Sequence, residues 1–524
     1  MPIVQAGSIN TTALVVPDLY VQIVPPQNLV LNGVPTNVVG VVGTASWGPV
    51  NQPSIVGTMA DYAVGFGPVV ARKYDMGTQV ATAVQQGASS FRCVRVTDGT
   101  DVAASYALFY ANNAYPAVLV ARYSGSLGNS ISVVLSSGSQ AGRWRLTLGL
   151  PGLTPEVYDN IAAPTPAAFW KNLVNAVNLG TGPLRGPSQL CVASLGAATT
   201  TPPAALSAQT LLNGTDGATG VTAQTLVGSD TLPRAGMYAL RGQGCGIALL
   251  ADSDDPTTWT LQAGFGLEEG VYMILTGPSG DTITDAIAIK QQAGLDSYAA
   301  KLMFGDWLWW NDATNGQVRL VSPQGFAAGR LGNLSPEQSS LNKQLYGVIG
   351  SQKSGTPGSG QSTSYSSAEL SALLGAGIDV IANPQPAGSF WGVRGGHNSS
   401  SNAATNGDNY TRLTNFIAAT LASGMGQYVG QVINANLFRQ IRATQMSFLQ
   451  NLLGQGILGS TDGSLPFSVI CDTSNNPNSR TSLGYVQSDT QVQYQAINEK
   501  FIVNMEGGQT VTVQRQTLPS GQVQ

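Results

Sequence analysis

Few residues of this chain could do chemistry, and their types and spacing limit what that chemistry is. The stretch GTPGSGQS, Gly355 to Ser362, has the glycine spacing of a phosphate-binding loop. Its Lys position is Gln361, so the charge that would reach the phosphates is missing. It lies between SQKS and STSYSS rather than after an apolar strand, which reads as a flexible Gly/Ser loop. His397, in RGGHNSSSN, is the single histidine, so a hydrolase using a His base would have to use it. No G-x-S-x-G elbow surrounds a serine, and the expectation for His397 is a solvated side chain in a Gly/Ser loop. DSDDP, Asp252 to Pro256, offers hard oxygen ligands of the kind Mg2+ takes. The plainer expectation has Asp255 capping the next helix and the other carboxylates in solvent. Glu268 and Glu269 read as an exposed helix end. Cys93, Cys191, Cys245 and Cys471 are scattered without a C-x-x-C, which predicts buried thiols and no structural zinc. GQGCG, Gly242 to Gly246, reads as a helix C-cap, GMGQYVG, Gly424 to Gly430, as a turn between helices, and DWLWW, Asp306 to Trp310, as core. No catalytic residue, cofactor or metal ligand set is assigned. Arg439 and Arg442 are three apart and share a helix face. They are either two solvated charges or a ridge for an acidic partner.

The elements that must position these residues follow from periodicity. Residues 1–35 are extended and punctuated by proline, with too few local contacts to hold themselves. In 36–96, NVVGVVGTA and FRCVRV predict strands, and ADYAVGFG and YDMGTQVATAVQQG predict helices. Residues 97–228 are rich in Ala, Thr, Gly and Pro with short β-like runs, and read as an inserted, mostly β domain. From 230 the pattern alternates. TLPRAGMYALRGQ, DPTTWTLQAGFGLEE and DTITDAIAIKQQAG predict helices, and GIALLAD, VYMILTG, AAKLMFGDWLWW and GIDVIANP predict strands. That alternation implies a largely parallel, doubly wound sheet. SPQGFAAGRLGNL predicts a helix with Ser322 as N-cap and Pro323 at its first position. Near the C-terminus, Leu413, Phe416, Ile417 and Leu421 mark one amphipathic helix and Leu437, Ile441, Phe448 and Leu452 another. They are expected to pack on strands in SVICD and QYQAINEKFIVNM. The end, 507–524, is polar and extended, and TVTVQ alternates like a strand.

Composition narrows the class. The 524 residues suit several domains, and 43% apolar residues supply a core. Only 10% are charged and 63 are glycine, which suits faces buried against copies of the same chain. The net charge of -4 does not favour nucleic acid. The first Lys or Arg is Arg72, so no positive leader of a signal peptide is expected. Asn112, Asn113 and Pro116 interrupt the long uncharged run from Val102 to Ala121, so it is not expected to insert in a membrane.

Five stretches, in order, resemble the tail sheath proteins of contractile-tailed bacteriophages. VPDLYVQIV, Val16 to Val24, resembles the family's P-G-V-Y-V-x-E, with Asp18 for Gly and Gln22 for the acidic residue. GVPTNVVGVVGTASWGPVNQPSIVGTMADYAVGFG, Gly33 to Gly67, carries T-x-V-x-x-x-V-G-x-x-x-x-G-P-x-N-x-P. FRCVRV, Phe91 to Val96, is similar to the strand after the long helix. LVSPQGFAAGRLGNL, Leu320 to Leu334, resembles P-P-S-G-x-x-A-G through Ser322, Pro323, Gly325, Ala328 and Gly329, with Gln324 for Ser. FWGVRGG, Phe390 to Gly396, followed by YTRLTNFI, is similar to W-G-x-R-T. Residues 97–228 and the Gly/Ser loop lie outside the resemblance.

The resemblance implies an α/β plus α+β multidomain fold, in which a subtilisin-like-topology core comprises 36–96 and 229–390 with 97–228 inserted as a surface domain. It implies an α+β domain over 391–506 facing an inner tube, and extended arms over 1–35 and 507–524. The arms would add strands to neighbouring subunits, through Leu19, Tyr20, Val21 and Ile23 at one end and Thr510, Val511, Thr512 and Val513 at the other. Arg439 and Arg442 would contact the tube. Implied partners are the chain itself in a helical homopolymer of six-fold rings, the inner tail tube protein, and baseplate and tail terminator proteins. The implied place is the virion, after assembly in the host bacterial cytoplasm, with no enzymatic role. The sheath of a phage-derived bacteriocin or secretion machine is the near alternative. A tube or capsid subunit fits the α/β alternation poorly, and a hydrolase lacks the residues.

Overall fold

The computed structural model describes residues 3–6, 20–23, 31–111, 113–183 and 185–507. In chain order, β1 (Ile3–Ala6) and β2 (Tyr20–Ile23) precede β3 (Val39–Gly43), β4 (Pro53–Val56), α1 (Met59–Phe66), α2 (Met76–Gln85) and β5 (Phe91–Arg95). Then come β6 (Ser105–Leu108), β7 (Ala117–Ala121), β8 (Ser132–Ser137), β9 (Arg143–Gly149), β10 (Glu156–Ala162), α3 (Pro166–Leu179), β11 (Cys191–Leu195), β12 (Leu206–Thr210) and α4 (Ala223–Val227). They are followed by β13 (Ile247–Leu250), α5 (Trp259–Glu269), β14 (Tyr272–Thr276), α6 (Ile283–Ala293), β15 (Ala300–Met303), β16 (Leu308–Asp312), β17 (Gln317–Val321) and α7 (Gln324–Gly332). The last group is β18 (Val348–Ser351), α8 (Ser367–Gly375), β19 (Ile381–Ala382), β20 (Gly392–Val393), α9 (Asp408–Met425), α10 (Ala435–Gly454), β21 (Phe467–Ile470), α11 (Asn478–Thr481) and β22 (Asp489–Val492).

A six-stranded sheet in the order β15-β14-β13-β3-β5-β4 organises the molecule. Its strands run parallel except β4, which is antiparallel to β5. Every residue of β3, β13, β14 and β15 is buried, because helices cover both faces. Tyr62, Phe66, Met76, Val80, Phe326 and Leu331 fill one face, and Leu226, Trp259, Phe265, Phe304 and Leu373 the other. Small residues let α2 and α7 touch. A Cβ at Gly329 would strike the backbone of Ala83, and one at Gly325 would strike Thr82 Oγ1. The glycines of SPQGFAAG are therefore packing residues.

A third core lies between the four-stranded sheet β10-β9-β8-β12, the three-stranded sheet β11-β7-β6 and α3. Trp47 joins this core and meets Tyr123 edge-on at 5.3 Å. Fully buried Arg95, at the end of β5, donates to the carbonyls of Gly48 at 2.8 Å, Ser124 at 2.7 Å and Asp216 at 3.1 Å. These bonds tie the third core to the six-stranded sheet. A fourth cluster packs α9, α10 and β21 through Phe416, Ile417, Phe448, Leu449, Leu452 and Phe467. Among the described residues, no helix is long and apolar enough to cross a membrane.

Several expectations are corrected. TLPRAGMYALRGQ yields only a 3-10 turn, Gly236–Leu240, entered through Gly236 at φ 61°. AAKLMFGDWLWW splits into β15 and β16, because Gly305 passes so close to Pro278 that a Cβ there would strike the Pro278 carbonyl. The helix of SPQGFAAG starts one residue late, at Gln324, and makes no side-chain cap; the Ser322 hydroxyl bonds Gln324 Oε1 instead. GIDVIANP forms only the two-residue β19, preceded by a bridge from Asp379 to Met303. Residues 494–505 form no strand; β22 precedes them. The N-terminal stretch has a local partner, since β1 and β2 pair in parallel, Ile3 with Tyr20 through Ala6 with Ile23.

Candidate functional site

Open α/β sheets bind ligands where neighbouring strands send the chain in opposite directions. Here that point lies beyond the ends of β3 and β13, and the protein fills it with its own side chains. Gln79 Nε2 donates to Asp252 Oδ1 at 2.8 Å and to Ser322 Oγ at 3.0 Å, and Gln79 Oε1 accepts from Gly325 N at 2.8 Å. Gln324 Nε2 donates to Ile274 O at 2.8 Å. All four side chains are buried. Burial pushes the Asp252 carboxyl up, despite its hydrogen bond with Ser322 and the Arg319 charge. The other carboxylates of DSDDP go elsewhere. Asp254 pairs with Lys73 at 2.9 Å, and Asp255 caps the turn at Thr257 N at 3.0 Å. Among the described residues, no three His, Cys, Asp or Glu side chains gather as a metal group. Asp75 caps α2, its Oδ2 accepting from Thr78 N at 2.8 Å and Thr78 Oγ1 at 2.7 Å. Burial pushes its carboxyl up to about 7.

A buried ionic node lies where β14 and β15 meet the start of α9. Lys301 Nζ donates to Asp379 Oδ2 at 2.6 Å, to Asp408 Oδ1 at 3.0 Å and to the His397 carbonyl at 3.0 Å. Asp379 also accepts from the N–H groups of Val380, Gly395, Gly396 and His397. Asp408 also accepts from Tyr272 Oη at 2.6 Å and from both Ser340 N and Oγ. Burial opposes the Lys301 charge, yet Asp379 and Asp408 outweigh it and hold the ammonium above its ordinary pKa. Burial likewise works against Asp408, and Lys301, Ser340 and Tyr272 overcome it and hold that carboxyl below the usual range. Arg412, on the next turn of α9, donates to Leu334 O at 2.7 Å and Ser335 O at 2.9 Å, and burial pushes it down to about 10. The node fastens α9 to the six-stranded sheet.

The C-terminal face is less closed. β21 and β22 form a two-stranded antiparallel sheet, Phe467 with Val492 through Ile470 with Asp489. Among the described residues, neither outer edge has a strand partner. Beyond Glu499 the described chain runs uncovered, with Phe501 83%, Ile502 78%, Val503 71% and Met505 88% exposed. Arg439 and Arg442 lie on the exposed side of α10, opposite Leu437, Phe438 and Ile441, and make no ion pair among the described residues. Tyr20, Val21 and Ile23 lie in β2, while Leu19, Thr510, Val511, Thr512 and Val513 fall outside the described residues. His397 is not simply solvated. Its Nε2 lies 2.7 Å from Glu499 Oε1, which holds the segment after β22 against the body. Glu268 and Glu269 do end α5, with Glu268 63% exposed and Glu269 half-buried, and both pair with Arg241, at 2.9 and 2.7 Å. All four cysteines are free and buried. The Gly/Ser loop is exposed and irregular, with Gly355, Gly358 and Gly360 at positive φ.

No family profile matches this sequence, and no curated protein matches it. Solved structures do match, and the chain has the fold of contractile sheath subunits. It is similar to the sheath tail protein of Listeria innocua, with TM-score 0.58 and 15% identity, covering 85% of this chain and 90% of that one. It is similar to the sheath tail protein of Desulfitobacterium hafniense, with TM-score 0.57 and 14% identity, covering 86% and 93%. The sheath of an extracellular contractile injection system, PVC, in its contracted state matches over 95% of this chain and 98% of its own, with TM-score 0.53 and 12% identity. At such identities the likeness is one of fold.

Proposed function

We propose that this chain is the structural subunit of a contractile phage tail sheath, polymerising in six-fold rings around an inner tail tube and driving that tube through a host envelope for genome delivery. The observation that carries the reading is the two-stranded sheet β21–β22, with both edges open beside an exposed apolar segment. Unpaired strand edges bind further strands through backbone hydrogen bonds, tightly and with little demand on sequence. Terminal segments of neighbouring copies are the natural strands, those around Tyr20 to Ile23 and Thr510 to Val513. In this reading 1–35 and 507–524 are arms, 36–96 with 229–390 a subtilisin-like core, 97–228 an outward insertion, and 391–506 the tube-facing part. The arm around β2 would have to leave β1 or carry it along.

The work of contraction would come from two packings of the same subunit. A ligand or partner shifts such an equilibrium only through its different affinity for the two states, and packed interfaces are bistable rather than continuously deformable. Baseplate and terminator proteins would hold and trigger one state. Rigid bodies are needed to transmit the motion, and the Arg95 and Lys301 anchorages supply rigidity. Arg439 and Arg442 would meet acidic groups on the tube. The particle would be a virion assembled in the bacterial cytoplasm. A bacteriocin or secretion-machine sheath would use the same geometry. Electron microscopy of the purified chain tests the proposal: hollow tubes or helical polymers are expected, and a monomer at every concentration would overturn it.

A further inference from the structure

One face of α9, a stretch of extended chain and a glycine loop enclose a pocket of about 220 Å³. Arg412, Asn415, Phe416 and Ala419 stand at i, i+3, i+4 and i+7 of α9, so they line it from a single helix face. The rest of the wall includes Val34–Thr36 and Gly244–Gly246, the second being the end of GQGCG. A Cβ at Gly246 would crowd the Thr36 carbonyl, so glycine there lets the two stretches close on each other. The Val34 N–H donates to Thr420 Oγ1 at 3.2 Å and ties the extended stretch to α9. Val34, Pro35, Phe416 and Ala419 make the lining largely apolar. Its polar members differ in how well they are satisfied. Glu269 has both oxygens engaged, Oε1 by Arg241 Nη1 at 2.7 Å and Oε2 by Gly242 N at 2.9 Å. Arg412 is 4% exposed, donates only to the carbonyls of Leu334 and Ser335, and makes no ion pair among the described residues. A guanidinium carries further donors, and carbonyl oxygens do not cancel its charge. The Asn415 Nδ2 is buried without a hydrogen-bond partner among the described residues.

We propose that this pocket binds a small carboxylic acid with a single ring, its carboxylate held by Arg412 and Asn415 and its ring among Val34, Pro35 and Phe416. Charge selects the head group. A buried cation without an ion pair favours an anion, and a carboxylate accepts from a guanidinium and an amide together. With a pKa of about 10, Arg412 is charged near neutrality. Asp408 and Glu337 stand near enough to act on it, but Asp408 is committed to Lys301, Tyr272 and Ser340, and Glu337 Oε1 to the Ser335 hydroxyl. Glu269, neutralised by Arg241, does not repel the head group. Size selects the body. An apolar cavity of roughly 150 Å³ takes up benzene, and drug-sized ligands need about 300 Å³ or more. The volume here lies between the two, enough for one ring and its acid group. Apolar walls with Phe416 among them favour an aromatic ring. Val34–Thr36 continue the N-terminal segment, so an occupant bears on its root; the site itself does not rest on reading that segment as an arm.

Binding is read by saturation-transfer NMR on the full unassembled chain near neutral pH, with benzoate as the probe and benzamide as its uncharged counterpart. Benzoate is expected to bind at concentrations up to about 10 mM, and at least about tenfold more tightly than benzamide. Ala419 is an exposed member of the lining, so Ala419→Leu narrows the pocket from its solvent side. That variant should weaken benzoate at least about tenfold and leave Tm unchanged. Arg412→Gln should erase the preference for benzoate over benzamide. Where Arg412→Gln does not fold, the benzamide comparison and Ala419→Leu decide. No benzoate binding, benzamide bound as tightly as benzoate, or undiminished benzoate binding in Ala419→Leu would overturn the site. Because the readout needs no polymer, its failure leaves the sheath reading standing.

Discussion

Lys301→Met removes the one cation that neutralises two buried carboxylates. The Lys301 side chain is 0% exposed, and so is that of Asp408. Met fills similar space but makes none of the three bonds that Lys301 makes to Asp379, Asp408 and the His397 carbonyl. Asp379 keeps four N–H donors, so the greater loss falls on Asp408, left with Tyr272 and Ser340. Breaking a buried pair on one side costs about 3–5 kcal/mol. The double variant Lys301→Met/Asp408→Asn takes away the stranded charge while leaving an acceptor for Tyr272, and is expected to recover at least about 1 kcal/mol of that loss. Acid dependence separates this from a packing effect. The Asp408 carboxyl is held below its unfolded value of 3.8, so its stabilisation is present above that value and is lost as pH falls through the lower folded one. The wild-type advantage over Lys301→Met should therefore shrink below about pH 4. Thermal unfolding of the full chain, followed by circular dichroism between pH 3 and pH 8, reads both effects. A fall in Tm of about 3–5 °C near neutrality is expected. An unchanged Tm, or a double variant no better than the single one, would refute the node as an ionic anchor.

Asp75 has the opposite sign. Its folded pKa of about 7 lies above the unfolded 3.8, so stability is greatest below that lower value and declines as pH rises towards 7. Asp75→Asn should lack this decline, gaining on wild type by up to roughly 4 kcal/mol between pH 4 and pH 8 in denaturant titrations. Gly329→Ala forces α7 away from Ala83 and should cost about 1–3 kcal/mol in the same titration, with helix content unchanged. Reversing Arg439 and Arg442 to Glu should weaken co-sedimentation with tube polymers at least tenfold and leave thermal stability within about 0.5 kcal/mol, since both are exposed.

Periodicity made the sheet legible because β3, β13 and β14 are short apolar runs between helices whose apolar faces repeat at helical spacing. Phe416, Ile417, Phe448 and Leu452 point into a core for the same reason. The ionic node was not legible. Lys301 sits within AAKLMF, Asp379 within GIDVIA and Asp408 at the head of a polar helix, and nothing local separates such residues from surface charges. Only the packing of β14, β15 and α9 brings them together. The His397–Glu499 contact spans 102 residues and was invisible for that reason. The expected strand in QYQAINEKFIVNM did not form; among the described residues this run pairs with no strand. Ser322 was misjudged as a cap because its hydroxyl is claimed by Gln79 and Gln324.

A cryo-EM map of the polymer formed by the purified full-length chain tests the central claim most directly. The account expects additional strands hydrogen-bonded to β21 or β22, traced to the terminal segments of adjacent subunits. A two-stranded sheet with bare edges, or terminal segments that pair only within their own subunit, would contradict it.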